Sequence, residues 1–304
     1  MLSILSFDGS LLPQEVASRY AAFLLAAQQA DGGFPGRRGK SDLYYTGFAL
    51  RGLALVGRLD SEVAAHAAGF LGGQVGRPMS GADFFSLATS AMLLERATGS
   101  DVFAAAGRDR RQEVREFFAP FRRPDGGYAK TQRGASSTYQ TFLVVWCKQL
   151  AGAEPDEPGP ITRFIRNRQR PDGGFAEIDA MRHGGTNPTA AAVALLGGLD
   201  APEDAADSAR AAAKFIAGMQ TGEGGLRANA RIPVADLLST FTGLVALAAL
   251  DSSAAVDSAA ARKFVLSLEQ PAGGFRAGAW DQEADVEYTF YGLGSLAMLS
   301  GAEP

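Results

Sequence analysis

A Gly-Gly turn returns six times at a near-regular spacing along this chain, and that recurrence limits the fold more than any other feature. The pairs begin at Gly32, Gly72, Gly126, Gly173, Gly224 and Gly273, spaced 40, 54, 47, 51 and 49 residues apart. Five contexts are close: QADGGF, RPDGGY, RPDGGF, TGEGGL and QPAGGF. The second, LGGQ, is degenerate. Each turn is followed by a polar stretch and then an apolar, helix-like segment. The heads of those segments align at Asp42, Asp83, Ser137, Gly185, Asp236 and Asp285, with gaps of 41, 54, 48, 51 and 49 residues. Two markers that keep one period identify six structural repeats.

Asp and Ser at the head of an apolar segment are good helix N-caps, because a side-chain oxygen accepts an orphan backbone N–H. The segments they open are apolar almost all round, which predicts buried inner helices. Before each turn lies a more amphipathic segment, such as PQEVASRYAAFLLAAQQ or DSARAAAKFIAGMQ, which predicts an outer helix. The glycines supply the positive φ that stops the outer helix and redirects the chain. Six such hairpins can stack as an open solenoid or close as a ring, and the spacing alone leaves both open. The inner segments carry Tyr44, Tyr45, Phe48, Phe84, Phe85, Tyr139, Phe142, Phe241, Tyr288, Phe290 and Tyr291 near their heads. Aromatic residues at helical spacing belong first to a core. In a ring they would also line one mouth of a cavity, where six helix N-termini favour an anion.

A chain of 304 residues carries a default expectation of two domains. A repeat array overrules it, because it grows by adding units around a shared core. Hydrophobic residues make up 46%, charged residues 20%, and the net charge is −4, which suits a globular protein and offers no basic face for nucleic acid. The single cysteine, Cys147, lies in the apolar run TFLVVWCKQL and reads as a small buried hydrophobe. The opening residues lack the basic and long apolar regions of a signal peptide, and no apolar run is long enough to span a membrane. A cytoplasmic location is the expectation.

The motif Q-x-x-D-G-G-F, followed by D-x-x-x-T at the next helix head, resembles the prenyltransferase and squalene-cyclase repeat. The resemblance runs from about Gln14 to Leu299 and is nearest to the β subunit of protein prenyltransferases. It implies an all-α fold, an α/α toroid (α6/α6 barrel) of six helical hairpins forming one domain over residues 1–304. It further implies an aromatic funnel that binds an isoprenoid diphosphate such as farnesyl or geranylgeranyl diphosphate. The chain has neither the Asp-x-Asp-Asp acid motif of class II cyclases nor the Asp-Asp-x-x-Asp of ionising terpene synthases. The pair Glu177 and Asp179, in EIDAM, reads as solvated surface. One cysteine also excludes the Cys-Cys-His zinc site of lanthionine-cyclase toroids.

The resemblance carries over to particular residues. The family's fourth repeat has a His-Gly-Gly whose histidine contacts the diphosphate, and RHGGTNPT matches it at His183, with two extra residues before Thr189. The family's fifth repeat has basic residues before the helix, matched here by Arg227 and Arg231. Arginine suits bidentate phosphate contact. Arg182 and Lys130, with Arg133, are further candidates on neighbouring polar turns. From the residues alone, each is equally a solvated loop side chain. Tyr44, Tyr139, Phe241 and Tyr288 are the candidates for the isoprenoid.

The chain departs from the family at the zinc site. Asp236 matches the family's Asp, but the Cys position is Leu238 and the His position is Tyr288. Zinc in that family lowers the pKa of a peptide thiol, so no zinc and no ordinary cysteine prenylation are expected. Asp236, Asp285 and Glu287 could supply a hard-oxygen site, although carboxylates at helix heads are first of all caps. Two functions follow. One is a prenyltransferase-like transferase acting on an acceptor other than a thiol. The other is an inert toroid that carries a lipid or serves as an interaction module. A terpene cyclase ranks behind both. The family also implies an α-subunit-like helical partner, with a homodimer as the other arrangement.

Overall fold

The computed structural model describes residues 14–153, 156–199 and 205–300. Outer and inner helices alternate along the chain: α1 (Gln14–Ala26) and α2 (Leu43–Leu55), then α3 (Ser61–Gly72) and α4 (Gly81–Thr98). A four-residue helix, α5 (Val102–Ala105), precedes α6 (Arg110–Phe118), strands β1 (Tyr128–Ala129) and β2 (Ser136–Ser137), and α7 (Thr138–Ala151). The pairs α8 (Pro158–Arg166) and α9 (Thr186–Gly198), α10 (Ala205–Ala217) and α11 (Leu237–Ala249), and α12 (Ser258–Ser267) and α13 (Val286–Ser300) complete the series. The described residues pack as two compact units. One comprises 118–146, 156–199 and 205–267; the other comprises 14–117, 147–153 and 268–300. The apolar sequence of the inner helices is explained by burial: eleven residues of α13 and nine of α11 are buried.

A single side-chain contact ties each turn to its own inner helix. The threonine four residues after the helix head accepts a hydrogen bond from the backbone N–H of the apolar residue that follows Gly-Gly. Thr46 takes it from Phe34 at 2.9 Å, Thr141 from Tyr128 at 2.9 Å, Thr189 from Phe175 at 2.9 Å, Thr240 from Leu226 at 2.9 Å and Thr289 from Phe275 at 3.1 Å. All five threonines are fully buried. The same hydroxyls donate back to a backbone carbonyl, that of the head residue in four cases. This is the physical content of D-x-x-x-T. The turn residue also bridges to the helix head, as in Phe34 with Asp42 and Phe275 with Asp285. Strands β1 and β2, absent from the sequence reading, are this bridge lengthened by one residue, with Tyr128 facing Ser137 and Ala129 facing Ser136.

The Gly-Gly pairs tie each repeat to the next. Gly173 has a φ of 87°, and a Cβ there would lie 2.5 Å from the carbonyl oxygen of Ala211 in the next outer helix, α10. A Cβ on its neighbour Gly174 would lie 2.7 Å from the ring of Phe215, also on α10. The arrangement recurs: the rings of Phe70, Phe164, Phe264 and Phe23 face Gly33, Gly127, Gly225 and Gly274. The last contact seats the sixth turn on α1, the first outer helix. The second turn departs from the rule, as its sequence does. Helix α3 runs on through Gly72, where a Cβ would meet nothing within 4 Å.

The glutamine of Q-x-x-D-G-G-F reinforces the junction. Gln169 and Gln220 each donate to their own turn carbonyl and to a carbonyl at the start of the next outer helix, Ser208 at 3.0 Å and Asp257 at 2.9 Å. Where the glutamine is missing, an ion pair replaces it: Arg122 with Asp156 at 3.8 Å, and Glu269 with Arg19.

Two expectations need correction. Asp83 is not the N-cap of α4. Ser80 is, and Asp83 is the third residue of a capping box with it. Glu177 is not solvated surface. Its carboxylate accepts from the Ser137 hydroxyl and from the Tyr139 N–H at 3.2 Å, so it caps the start of α7 from the following loop. Asp179 is 81% exposed at its side chain but pairs with Arg168 at 2.8 Å.

Two substitutions measure these ties. Thr189→Val leaves the buried Phe175 N–H without an acceptor and should cost about 1–3 kcal/mol, read as a lower thermal unfolding midpoint. Gly173→Ala forces both a left-handed backbone and a clash with Ala211, and it should destabilise more than Gly159→Ala, where a Cβ meets nothing within 4 Å. Equal midpoints for the two alanine variants would contradict the account.

Candidate functional site

The heads of α2 and α13 build a cluster of rings around one carboxylate. Position 287 follows the Asp285 cap by two residues, so Glu287 lies in the first turn of α13. Tyr44, in the first turn of α2, donates its hydroxyl to Glu287 Oε1 at 2.7 Å, and Tyr291, one turn on from Glu287, donates to the same oxygen at 3.2 Å. Phe48 lies one turn beyond Tyr44 and packs against it at 4.9 Å between ring centroids, against Tyr291 at 5.2 Å and against Phe290 at 5.7 Å. Tyr288 reaches Tyr291 at 6.0 Å, and Tyr45 meets Tyr44 edge-on at 5.4 Å. The Arg51 guanidinium covers Phe48 at 4.2 Å and Phe290 at 5.0 Å, held by a hydrogen bond from its Nε to the Gly47 carbonyl.

A layer of charge lies next to these helix heads. Arg37, from the first polar loop, grips Asp281 with both ends of its guanidinium and Asp285 through Nε at 3.0 Å. Burial pushes the Asp285 carboxyl up, outweighing the Tyr288 N–H and Arg37. Burial also pushes Asp281 up, but Arg37 and the backbone N–H groups of Ala277 and Glu283 win and leave it below the usual range. Glu287 is raised, chiefly by burial, against the hydrogen bond from Tyr44. A half-buried carboxyl with one oxygen engaged by two phenols and the other outside those bonds can accept or hold a proton.

The other sequence-predicted residues lie on the loops and heads of the other unit, except Tyr44 and Tyr288, already placed. His183 is 60% exposed at its side chain, and its Nδ1 lies 3.6 Å from Asp172 of the fourth turn. The same Asp172 accepts from the Gly184 N–H at 3.0 Å. A Cβ on Gly184 would sit 2.5 Å from Gly174 Cα, so the first glycine of His-Gly-Gly is demanded by close packing on its own turn. Arg182 and Arg231 are exposed, as are Lys130 and Arg133. The backbone of Arg227 accepts from the Thr186 hydroxyl at 2.6 Å, which fixes it beside the head of α9, and its Nε is buried without a hydrogen-bond partner. Tyr139 is 46% exposed at the head of α7, whereas Phe241 is buried within α11.

Asp236 caps α11, accepting from the Ser239 N–H at 2.7 Å and the Ser239 hydroxyl at 2.8 Å. Burial pushes its carboxyl up. This donor set does not fit a zinc–thiolate centre. Leu238 offers no donor atom, and Cys147 is wholly buried with its thiol pushed far up by burial. Among the described residues no three His, Cys, Asp or Glu side chains gather in a metal-holding group. Sequence reasoning weighed Glu287 only as a metal ligand. Its bond to Tyr44 joins residues 243 apart and leaves no local signal.

No helix of the described residues is long and apolar enough to cross a membrane. The model of the prenyltransferase alpha-alpha toroid domain matches residues 11–68, 58–226 and 189–303. Among solved structures, the chain is similar to Candida albicans protein geranylgeranyltransferase-I complexed with GGPP, at 14% identity and a TM-score of 0.75, covering 93% of this chain and 91% of that one. It is also similar to a variant of the type II terpene cyclase MstE from Scytonema, complexed with merosterolic acid A, at 16% identity and a TM-score of 0.65, covering 99% and 98%. A protein from Actinoplanes matches at 18% identity and a TM-score of 0.62, covering 94% and 98%. No curated protein matches. With the family model spanning nearly the whole sequence and the repeat ties in place, the chain belongs to the prenyltransferase alpha-alpha toroid family.

Proposed function

We propose that this protein binds an isoprenoid diphosphate and transfers its prenyl group to a hydroxyl or amine acceptor. The observation that carries the reading is the ring cluster of Tyr44, Phe48, Phe290 and Tyr291 around Glu287. Aromatic faces suit both an isoprenoid chain and the positive charge that develops at its C1 carbon. The relative complexed with GGPP and the family match support the substrate class. Tyr288 adds a further ring to that cluster. His183, Arg227 and Lys130 are the groups proposed for the diphosphate, and Asp236 is the cap that fixes the head of α11.

In the proposed step, the C1–O bond breaks and its electron pair leaves with the diphosphate. The acceptor lone pair forms the new bond at C1, and the acceptor proton passes to Glu287. Cationic side chains stabilise the departing diphosphate. A thiol acceptor is disfavoured because the residues at Leu238 and Tyr288 cannot activate one through zinc. That same replacement favours the second reading, an isoprenoid-binding toroid without turnover.

Calorimetric titration with farnesyl and geranylgeranyl diphosphate, on protein assayed for zinc, is the direct test. Binding without zinc is expected, with diphosphate released when an acceptor is supplied. No binding of either compound would leave an interaction scaffold. His183→Ala should weaken geranylgeranyl diphosphate binding about tenfold, as loss of a charge-assisted hydrogen bond does, while binding of geranylgeraniol is unchanged. Equal effects on both ligands would remove His183 from the diphosphate site.

The role of Glu287 has a pH signature. Its folded-state pKa lies above its unfolded value, so the stability it contributes is full below the unfolded pKa and is lost as pH rises through the folded one. Glu287→Gln keeps an acceptor for Tyr44 and Tyr291 and cannot ionise. Urea unfolding should therefore show the variant gaining on the natural protein as pH rises from 4 to 7, roughly the span over which a raised carboxyl titrates. A constant difference across that range would show that Glu287 is not held in a raised state.

A further inference from the structure

We propose that the polar loops leading into α9 and α11 dock this protein on an anionic lipid bilayer. The loops, residues 176–184 and 227–235, are equivalent parts of successive repeats. Met181 and Ile232 each stand eight residues after the first glycine of their turn. Each also donates its N–H to the carbonyl three residues back, Ile178 and Asn229, at 3.1 Å in both loops. The loops are joined at their bases, where the Thr186 N–H donates to the Ala228 carbonyl at 2.8 Å and the Thr186 hydroxyl to the Arg227 carbonyl at 2.6 Å. Equivalent backbone and a shared base make the two loops neighbours.

Those tips are apolar and open. Met181 is 48% exposed, Ile232 40% and Val234 40%, three of the few large apolar side chains so exposed among the described residues. Each tip also carries an exposed arginine, Arg182 beside Met181 and Arg231 beside Ile232. Among the described residues neither arginine has an ion pair, because the nearby acids are engaged elsewhere. Asp179 is taken by Arg168 and Arg170, Glu177 caps α7, and Asp172 and Glu223 hold the backbone N–H groups of their own turns and loops. Asp172 also faces His183.

Large exposed apolar side chains flanked by uncompensated cations match an interface in which apolar groups enter the headgroup boundary and arginines meet lipid phosphates. The chain as a whole carries a net charge of −4, so this pairing of cations with apolar tips reverses the sign of the average surface. The inference rests on Met181, Arg182, Arg231, Ile232 and Val234 and on no residue of the ring cluster.

The test is co-sedimentation of the full chain with phosphatidylcholine vesicles, with and without phosphatidylserine. Binding is expected only with phosphatidylserine and should weaken as salt rises. Two variants, Met181→Ser/Ile232→Ser/Val234→Ser and Arg182→Gln/Arg231→Gln, should each bind about tenfold less, with the thermal unfolding midpoint unchanged as the control for folding. No binding to phosphatidylserine vesicles would overturn the proposal, and so would triple-serine protein that binds like the natural chain. Self-association abolished by the serine variant, without vesicle binding, would assign the tips to a protein contact instead.

Discussion

At five of the six turns, one repeat of this protein is held to the next by a place where no side chain is allowed. The two glycines of a turn bring the backbone against the following outer helix, with one facing a carbonyl and the other a phenylalanine ring. A turn that admits Phe215 at Gly174 or Phe264 at Gly225 sets the spacing between neighbouring hairpins. Phe23 at Gly274 extends the same rule from the last turn to the first outer helix. The inner helices can then be apolar on nearly every face, because the turns hold them where other helices cover them.

The threonine contact explains why the repeat is a unit rather than two helices joined by a loop. Its hydroxyl accepts the turn N–H and donates to a carbonyl of the same hairpin, so one buried side chain satisfies a backbone donor and a backbone acceptor. A buried N–H left unmade costs more than the bond gains, so the contact also acts against alternative loop paths. The glutamine bridges and the two ion pairs that replace them work between hairpins in the same sense. A neutral amide and an ion pair fill one geometric role in different repeats, which is the kind of substitution that leaves a period visible while blurring its letters.

That blurring sets what could be read in advance. The turns, the helix heads and the outer–inner alternation were legible because each rests on local spacing: Gly-Gly, then a cap, then a threonine four residues on. Asp83 was misplaced by the same logic, since a capping box puts its serine three residues earlier and an alignment by acidic residues does not see the difference. Glu177 was misread because its partners, Ser137 and Tyr139, are about forty residues back, across a repeat boundary. Glu287 escaped for the same reason on a larger scale, since Tyr44 lies at the far end of the chain. Local chemistry fixes hairpins, whereas the groups that set one hairpin against another leave no spacing to find.

The cluster around Glu287 gains its meaning from what surrounds it in sequence. In the family pattern the neighbouring position 288 carries an imidazole, and here it carries a tyrosine that joins the rings instead. A tyrosine at that position makes the site more apolar than an imidazole would. A carboxyl kept in such surroundings must be held by donors, and Tyr44 and Tyr291 supply them at one oxygen. Arg51 is spent on the faces of Phe48 and Phe290, and Arg37 on Asp281 and Asp285. The charge of Arg51 favours the ionised form of Glu287, but burial outweighs it and the charged form stays costly. A group that is costly to ionise and open at one oxygen is suited to take a proton during a reaction rather than to hold a fixed ion pair.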